Sequence, residues 1–213
     1  MSRSYRSDLR ARQARSTRWS VVEAAAALFV ARGYDRTTLD AVAEESGVSR
    51  RTVVNAVGGK AALLKLAWDW TLVGDDEPTP MADRPDVVAI RTSRDPEESL
   101  RLWARVVTET GSRAAALGRV LVAAADADDE AAALLATAET QRLEGARAFA
   151  QHLASLDALA VPVDRAAEAF WALSSGAVHR SLVIDRGWST EEFAVWLEAQ
   201  AAASTRPTPS VPR

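Results

Sequence analysis

Cysteine is absent from the 213 residues, which excludes disulfides and thiolate nucleophiles and removes the commonest zinc ligand. Its absence suits a reducing cytoplasm, the expected location. No window of about 18 uninterrupted apolar residues occurs, so no membrane span is expected. The basic stretch Ser2–Arg15 is followed by no signal-type apolar core, because Glu23 interrupts Ser20–Ala31 at a helical spacing. Catalytic constellations are missing too: there is no nucleophile–histidine pair, phosphate loop or metal-ligand spacing. The expectation is a protein that is not an enzyme and uses no cofactor and no metal.

Glycine is scarce, with 10 residues, while 48% of the chain is hydrophobic and dominated by alanine and leucine. That balance favours an all-α fold with a sizeable core. The formal net charge of −3 conceals an asymmetry. Residues 1–60 carry 11 Lys or Arg against 6 Asp or Glu, and residues 61–213 carry 15 against 23. A basic end on an acidic body suits a polyanion at one surface. A solvated arginine-rich tail suits the same count equally well.

Six arginines fall in the first 18 residues with no apolar period, so residues 1–15 read as a flexible basic arm. Helix one is expected over Thr17–Arg32, with Val21, Ala24, Ala25, Leu28 and Phe29 on one face and Gly33 as its stop. Short helices are expected over Leu39–Ser46 and Arg50–Val57, capped by Thr37 or Thr38 and by Ser49, and a fourth over Lys60–Val73. Residues 74–95, rich in Asp and Pro, read as a loop. Further helices are expected at about 96–110, 113–125, 129–157, 164–186 and 190–203, with Asp95, Asp128, Asp164 and Ser189 as caps. A proline-rich tail, 204–213, is expected to be disordered. Domain boundaries follow: a helix-turn-helix domain over 16–60 and a helical domain over 61–203.

The chemistry rests on residues 39–57. A helix-turn-helix needs a small residue where its helices cross and a left-handed turn residue four positions on; Ala43 and Gly47 supply them. It also needs apolar packing positions, met by Val42, Val48 and Val53. The second helix of such a pair enters the major groove. Arg50, Arg51, Thr52 and Asn55 then face outward, where arginine reads guanine and asparagine reads adenine. Thr38, Ser49 and Lys60 begin helices, where hydroxyl, N–H and ammonium groups hold phosphates. A helical hairpin with no DNA role satisfies the same pattern.

The run Val21–Phe29, then Arg32–Leu39, Ala41-Val42-Ala43, Gly47-Val48-Ser49, Thr52-Val53 and Gly59–Leu64 resembles the DNA-binding domain of the TetR family of regulators. The likeness runs without a gap for about 45 residues, a fifth of the chain. It implies an all-α fold: an N-terminal three-helix DNA-binding domain and a C-terminal helical domain for ligand binding and dimerisation. It implies a homodimer on double-stranded DNA and an unidentified small-molecule effector, most members being repressors released by their ligand. It also implies phosphate contacts from Thr38 and Lys60 and a recognition helix over Arg50–Asn55. One departure stands out: the family usually has an aromatic residue, tyrosine or phenylalanine, where this chain has Val54, and often another aromatic at Val57. Valine donates no hydroxyl, so one phosphate contact is missing. The alternative function is a helical ligand-binding or interaction module with weakened or lost DNA binding.

Seven tryptophans are spread along the chain. Trp103, Trp171, Ser174, Ser175 and Val178 are the candidates for an effector pocket, the last four on one face of the helix expected at 164–186. Ordinary core or interface packing explains them as well. His152 and His179 have no neighbouring metal-type ligands and are expected at a surface or interface. The acidic run Asp126–Glu130 reads as the end of one helix and the cap of the next. Leu182, Val183, Phe193 and Leu197 suit a dimer built from the last two helices.

Overall fold

A computed structural model describes residues 2–206, with side chains from Arg12 onward. Ten α-helices dominate the described residues, which hold no strand beyond one isolated antiparallel bridge between Leu159 and Thr205. The chain divides into two compact units, residues 1–76 with 116–135, and residues 77–115 with 136–213.

The first unit begins with α1 (Ser2–Arg32), α2 (Leu39–Ser46), α3 (Arg50–Val57) and α4 (Lys60–Val73). The expected face of α1 is buried: Val21, Ala25 and Phe29 are fully enclosed, with Ala24 and Leu28 nearly so. They meet Val42 and Ala43 of α2, Val53 and Val57 of α3, and Leu63, Leu64 and Ala67 of α4. Leu117, Leu121 and Ala131 complete this core. Gly33 ends α1 with φ +81° and its N–H donates to the Phe29 carbonyl at 2.9 Å. The helix starts earlier than expected: residues 2–15 continue α1. Nothing between Ser2 and Thr17 breaks a helix, since the stretch has no Gly or Pro and is rich in arginine, a good helix former. Arg15 is anchored to Asp76 through two hydrogen bonds of 2.6 and 2.5 Å, and Trp19 stacks on Trp70 at 5.3 Å.

The second unit contains α5 (Pro85–Thr92), residues 96–115 of α6 (Pro96–Ala125), residues 136–155 of α7 (Asp129–Ser155), α8 (Val163–Leu173), α9 (Gly176–His179) and α10 (Thr190–Ala202). Its core joins Leu100, Trp103 and Ala104 to Phe149, Leu153, Phe170, Phe193 and Leu197. Asp95, Asp128 and Ser189 cap α6, α7 and α10 as expected, Ser189 in a reciprocal capping box with Glu192.

Several expectations need correction. The loop over 74–95 contains a 3-10 turn at Met81–Asp83 and then α5, begun by Pro85 in the first turn and held by buried Ile90. The flanking Asp and Pro residues obscured that short helix. The two helices expected at 96–110 and 113–125 are one, α6. Gly111 does not break it; a Cβ there would lie 2.9 Å from Cδ2 of His179, so the glycine serves close packing. The helix expected at 164–186 stops at Leu173. The Ser174 hydroxyl donates to the Trp171 carbonyl at 3.1 Å, Ser175 turns extended and caps α9, and a π-helical turn follows over Arg180–Ile184. Asp164 lies in the first turn of α8 and not at its cap. His179 is buried, at 3% exposed. Of the expected tail, Ser204–Arg206 is ordered, with Arg206 bonded to Asp157 at 2.7 Å, while 207–213 lie outside the described residues.

Candidate nucleic-acid interface

The turn between α2 and α3 is built as its sequence requires. Gly47 takes a left-handed φ of +69°, and Val48 N–H returns to the Ala43 carbonyl at 3.0 Å. Ala43 is buried where the helices cross. Thr38 caps α2 by accepting from Ala41 N–H at 3.1 Å, and Ser49 caps α3 by accepting from Thr52 N–H at 3.1 Å. The Ser49 and Thr52 hydroxyls are also paired at 2.8 Å. With Val53 and Val57 buried, the opposite face of α3 presents Arg51 and Asn55 to solvent, flanked by half-buried Thr52 and exposed Arg50. Val54 is 41% exposed, an apolar side chain on a polar helix face.

Lys60 begins α4, with Gly59 as a cap that offers no side-chain bond. Its ammonium lies 4.2 Å from the centre of the Tyr34 ring and donates to the Asp35 carbonyl at 3.3 Å. Tyr34 in turn donates to Asp128 at 3.1 Å. Burial, then this bond, pushes the phenol above its ordinary range, so it stays protonated and a donor. Backbone bonding at Ala131 and the Tyr34 bond hold Asp128 below the usual carboxylate range.

All seven predicted residues thus belong to the three helix starts and the outer face of α3. Two features escaped sequence reasoning. Residues 19–60 hold five Lys or Arg against five Asp or Glu, so the positive surplus of the N-terminal third lies entirely in the first 18 residues. And Arg50 pairs with Asp40, Nε to Oδ1 at 3.3 Å. Only the folded turn brings those two together.

The structure places the five effector candidates in different surroundings. Trp103 is 6% exposed and stacks parallel on Phe149 at 5.2 Å, a core position. Trp171 lies under the Arg142 guanidinium, 4.6 Å from the ring centre, and Arg142 also donates to its backbone carbonyl. Ser174 and Ser175 are spent on the helix break, and Val178 packs half-buried against the core. A concavity of about 440 Å³ lies elsewhere, lined by Trp188, Glu191, Val195, Trp196 and Ala199. His179, unforeseen as a buried group, meets Ser112 at 3.2 Å through Nε2 and the edge of Phe193, while its Nδ1 has no hydrogen-bond partner among the described residues.

Residues 21–67 match the model of the family described as bacterial regulatory proteins, tetR family. No curated protein sequence matches the chain. Solved structures do. One is a putative TetR-family transcriptional regulator from Mesorhizobium loti, with a TM-score of 0.68 and 19% identity over 89% of this chain and 95% of that one. Another is NalD of Pseudomonas aeruginosa, the secondary repressor of the MexAB-OprM multidrug efflux pump, with a TM-score of 0.66 and 20% identity over 90% and 98%. A third is SmeT in complex with triclosan, at 0.66 and 14% over 91% and 93%. At these identities the structural likeness establishes the fold.

Proposed function

We infer, from the match of residues 21–67 to the tetR family of bacterial regulatory proteins, that the chain is a dimeric repressor which leaves its operator when a small molecule binds the second unit. That it is a DNA-binding transcriptional regulator follows from the family; repression and release are our extension. The observation carrying it is the outer face of α3, where Arg51 and Asn55 stand exposed on a helix fixed by Val53, Val57 and the Gly47 turn. Arg51 suits a guanine edge and Asn55 an adenine edge. Thr38, Ser49 and Lys60, at the starts of α2, α3 and α4, suit phosphates.

The effector is proposed to enter the second unit; the similar SmeT forms a complex with triclosan, a small molecule. Trp171, Ser174, Ser175 and Val178 remain candidates through the helix break they share; Trp103, locked in the aromatic core, would line such a site only from behind. Dimerisation is proposed through the last helices, where Ile184 and Val195 are 63% and 64% exposed.

The test is titration of the full-length protein with duplex DNA recovered by selection from a random pool, at several salt concentrations, with and without candidate ligands. The expected result is specific binding that weakens with salt, falls about tenfold or more in Asn55→Ala, and is lost on ligand addition. Absence of any duplex preference would instead favour the second reading, an interaction module without DNA function, to which Val54 and the electroneutral 19–60 segment lend support.

A further inference from the structure

Asp40 is a carboxylate where a polyanion-binding surface calls for cations. It lies in the first turn of α2, two residues beyond the cap Thr38, and its side chain is 75% exposed. An acid in that turn complements the helix dipole, but that role needs no contact with another helix. Here Oδ1 instead reaches 3.3 Å to Nε of Arg50, the first residue of α3. An exposed pair of this kind contributes little to stability. Its consequence is geometric. An arginine engaged through Nε keeps both terminal nitrogens available, and those are the pair that spans guanine O6 and N7.

Building on the reading of α3 as the recognition helix, we propose that Asp40 is a positioning residue that sets sequence specificity by orienting Arg50 toward a guanine edge. The same carboxylate makes Arg50 a poor generic phosphate ligand, because a phosphate must compete with Asp40 for it and approach a negative charge. The balance of five cations and five anions over residues 19–60 fits a surface that discriminates more than it adheres. Asp40 thereby lowers total affinity and raises the ratio of specific to non-specific binding.

The experiment uses the full-length protein, wild type, Asp40→Asn and Arg50→Ala, against the duplex recovered by selection and a scrambled duplex of equal composition. Since Asp40 is exposed, helicity by circular dichroism should be unchanged. For Asp40→Asn, binding to the scrambled duplex should tighten, with a salt slope steeper by about one phosphate contact. The specific-to-scrambled ratio should fall about tenfold. Replacing each guanine by 7-deazaguanine, which lacks the N7 acceptor, should reveal a position that weakens wild type about tenfold, weakens Asp40→Asn less, and leaves Arg50→Ala indifferent. Equal tightening of Asp40→Asn on both duplexes, or unchanged 7-deazaguanine sensitivity, overturns the proposal while leaving the regulator reading intact. A wild type that does not distinguish the two duplexes overturns both.

Discussion

Replacing Gly111 by alanine should destabilise the protein, although the same change at Gly145 should stabilise it. Both glycines lie inside long helices, α6 and α7, where alanine is favoured by about 1 kcal/mol. At Gly145 a Cβ meets nothing within 4 Å, so that gain is realised in full. At Gly111 the Cβ would lie 2.9 Å from Cδ2 and 3.1 Å from Cγ of His179. The ring has little room to retreat, being 3% exposed, edge-on to Phe193 at 5.0 Å and tied to Ser112. Overpacking of this kind costs about 1–3 kcal/mol, which offsets or exceeds the propensity gain and leaves a net loss of up to about 2 kcal/mol. For a chain of this size 1 kcal/mol moves Tm by about 2–4 °C. Thermal unfolding followed by circular dichroism should therefore separate the two variants by several degrees, Gly145→Ala above wild type and Gly111→Ala below. Equal stabilisation by both would refute the claim that close approach to His179 selects glycine in α6.

Burial lowers the pKa of both His179 and His152 below the ordinary value of 6.5, so the unfolded chain binds these protons first as pH falls. Stability should be fully present above about pH 6.5 and decline below it, and in His179→Gln the decline should be shallower; a urea midpoint equally pH-dependent in wild type and variant counts against His179. Val54→Tyr, at a site 41% exposed, should supply a hydroxyl for a phosphate and tighten binding to the selected duplex several-fold; no change in Kd would mean that the position does not face the backbone.

The legibility of this chain follows the locality of the forces involved. The caps Ser49, Asp128 and Ser189 act over three residues and can be read directly from spacing, while spacing leaves Thr37 and Thr38 both open and the fold selects Thr38. The buried face of α1 and the Gly47 turn are similarly local. The errors arose where a distant contact or a competing local signal decided the outcome. Gly111 reads as a breaker until His179 is seen above it, and Ser174-Ser175 reads as a helix face until the hydroxyls turn inward on the backbone. Pro and Asp around α5 outweighed its short apolar run.

The same distinction explains why a candidate recognition face is easier to read from sequence than a candidate effector site. A recognition face is one side of a single short helix, so its period is visible in eight residues. A cavity is made by side chains from several helices, and a tryptophan's type says nothing about which side of the core it fills. Trp103 and Trp171 share a residue type, yet one packs in a three-ring cluster with Phe149 and Phe170 and the other lies beneath an arginine. The Asp40–Arg50 pair falls between these cases: its partners are ten residues apart, but only the left-handed turn at Gly47 brings two helix starts together. Charge counts along the sequence treat those residues as cancelling, whereas the fold makes the cancellation directional, and direction is what a base edge can read.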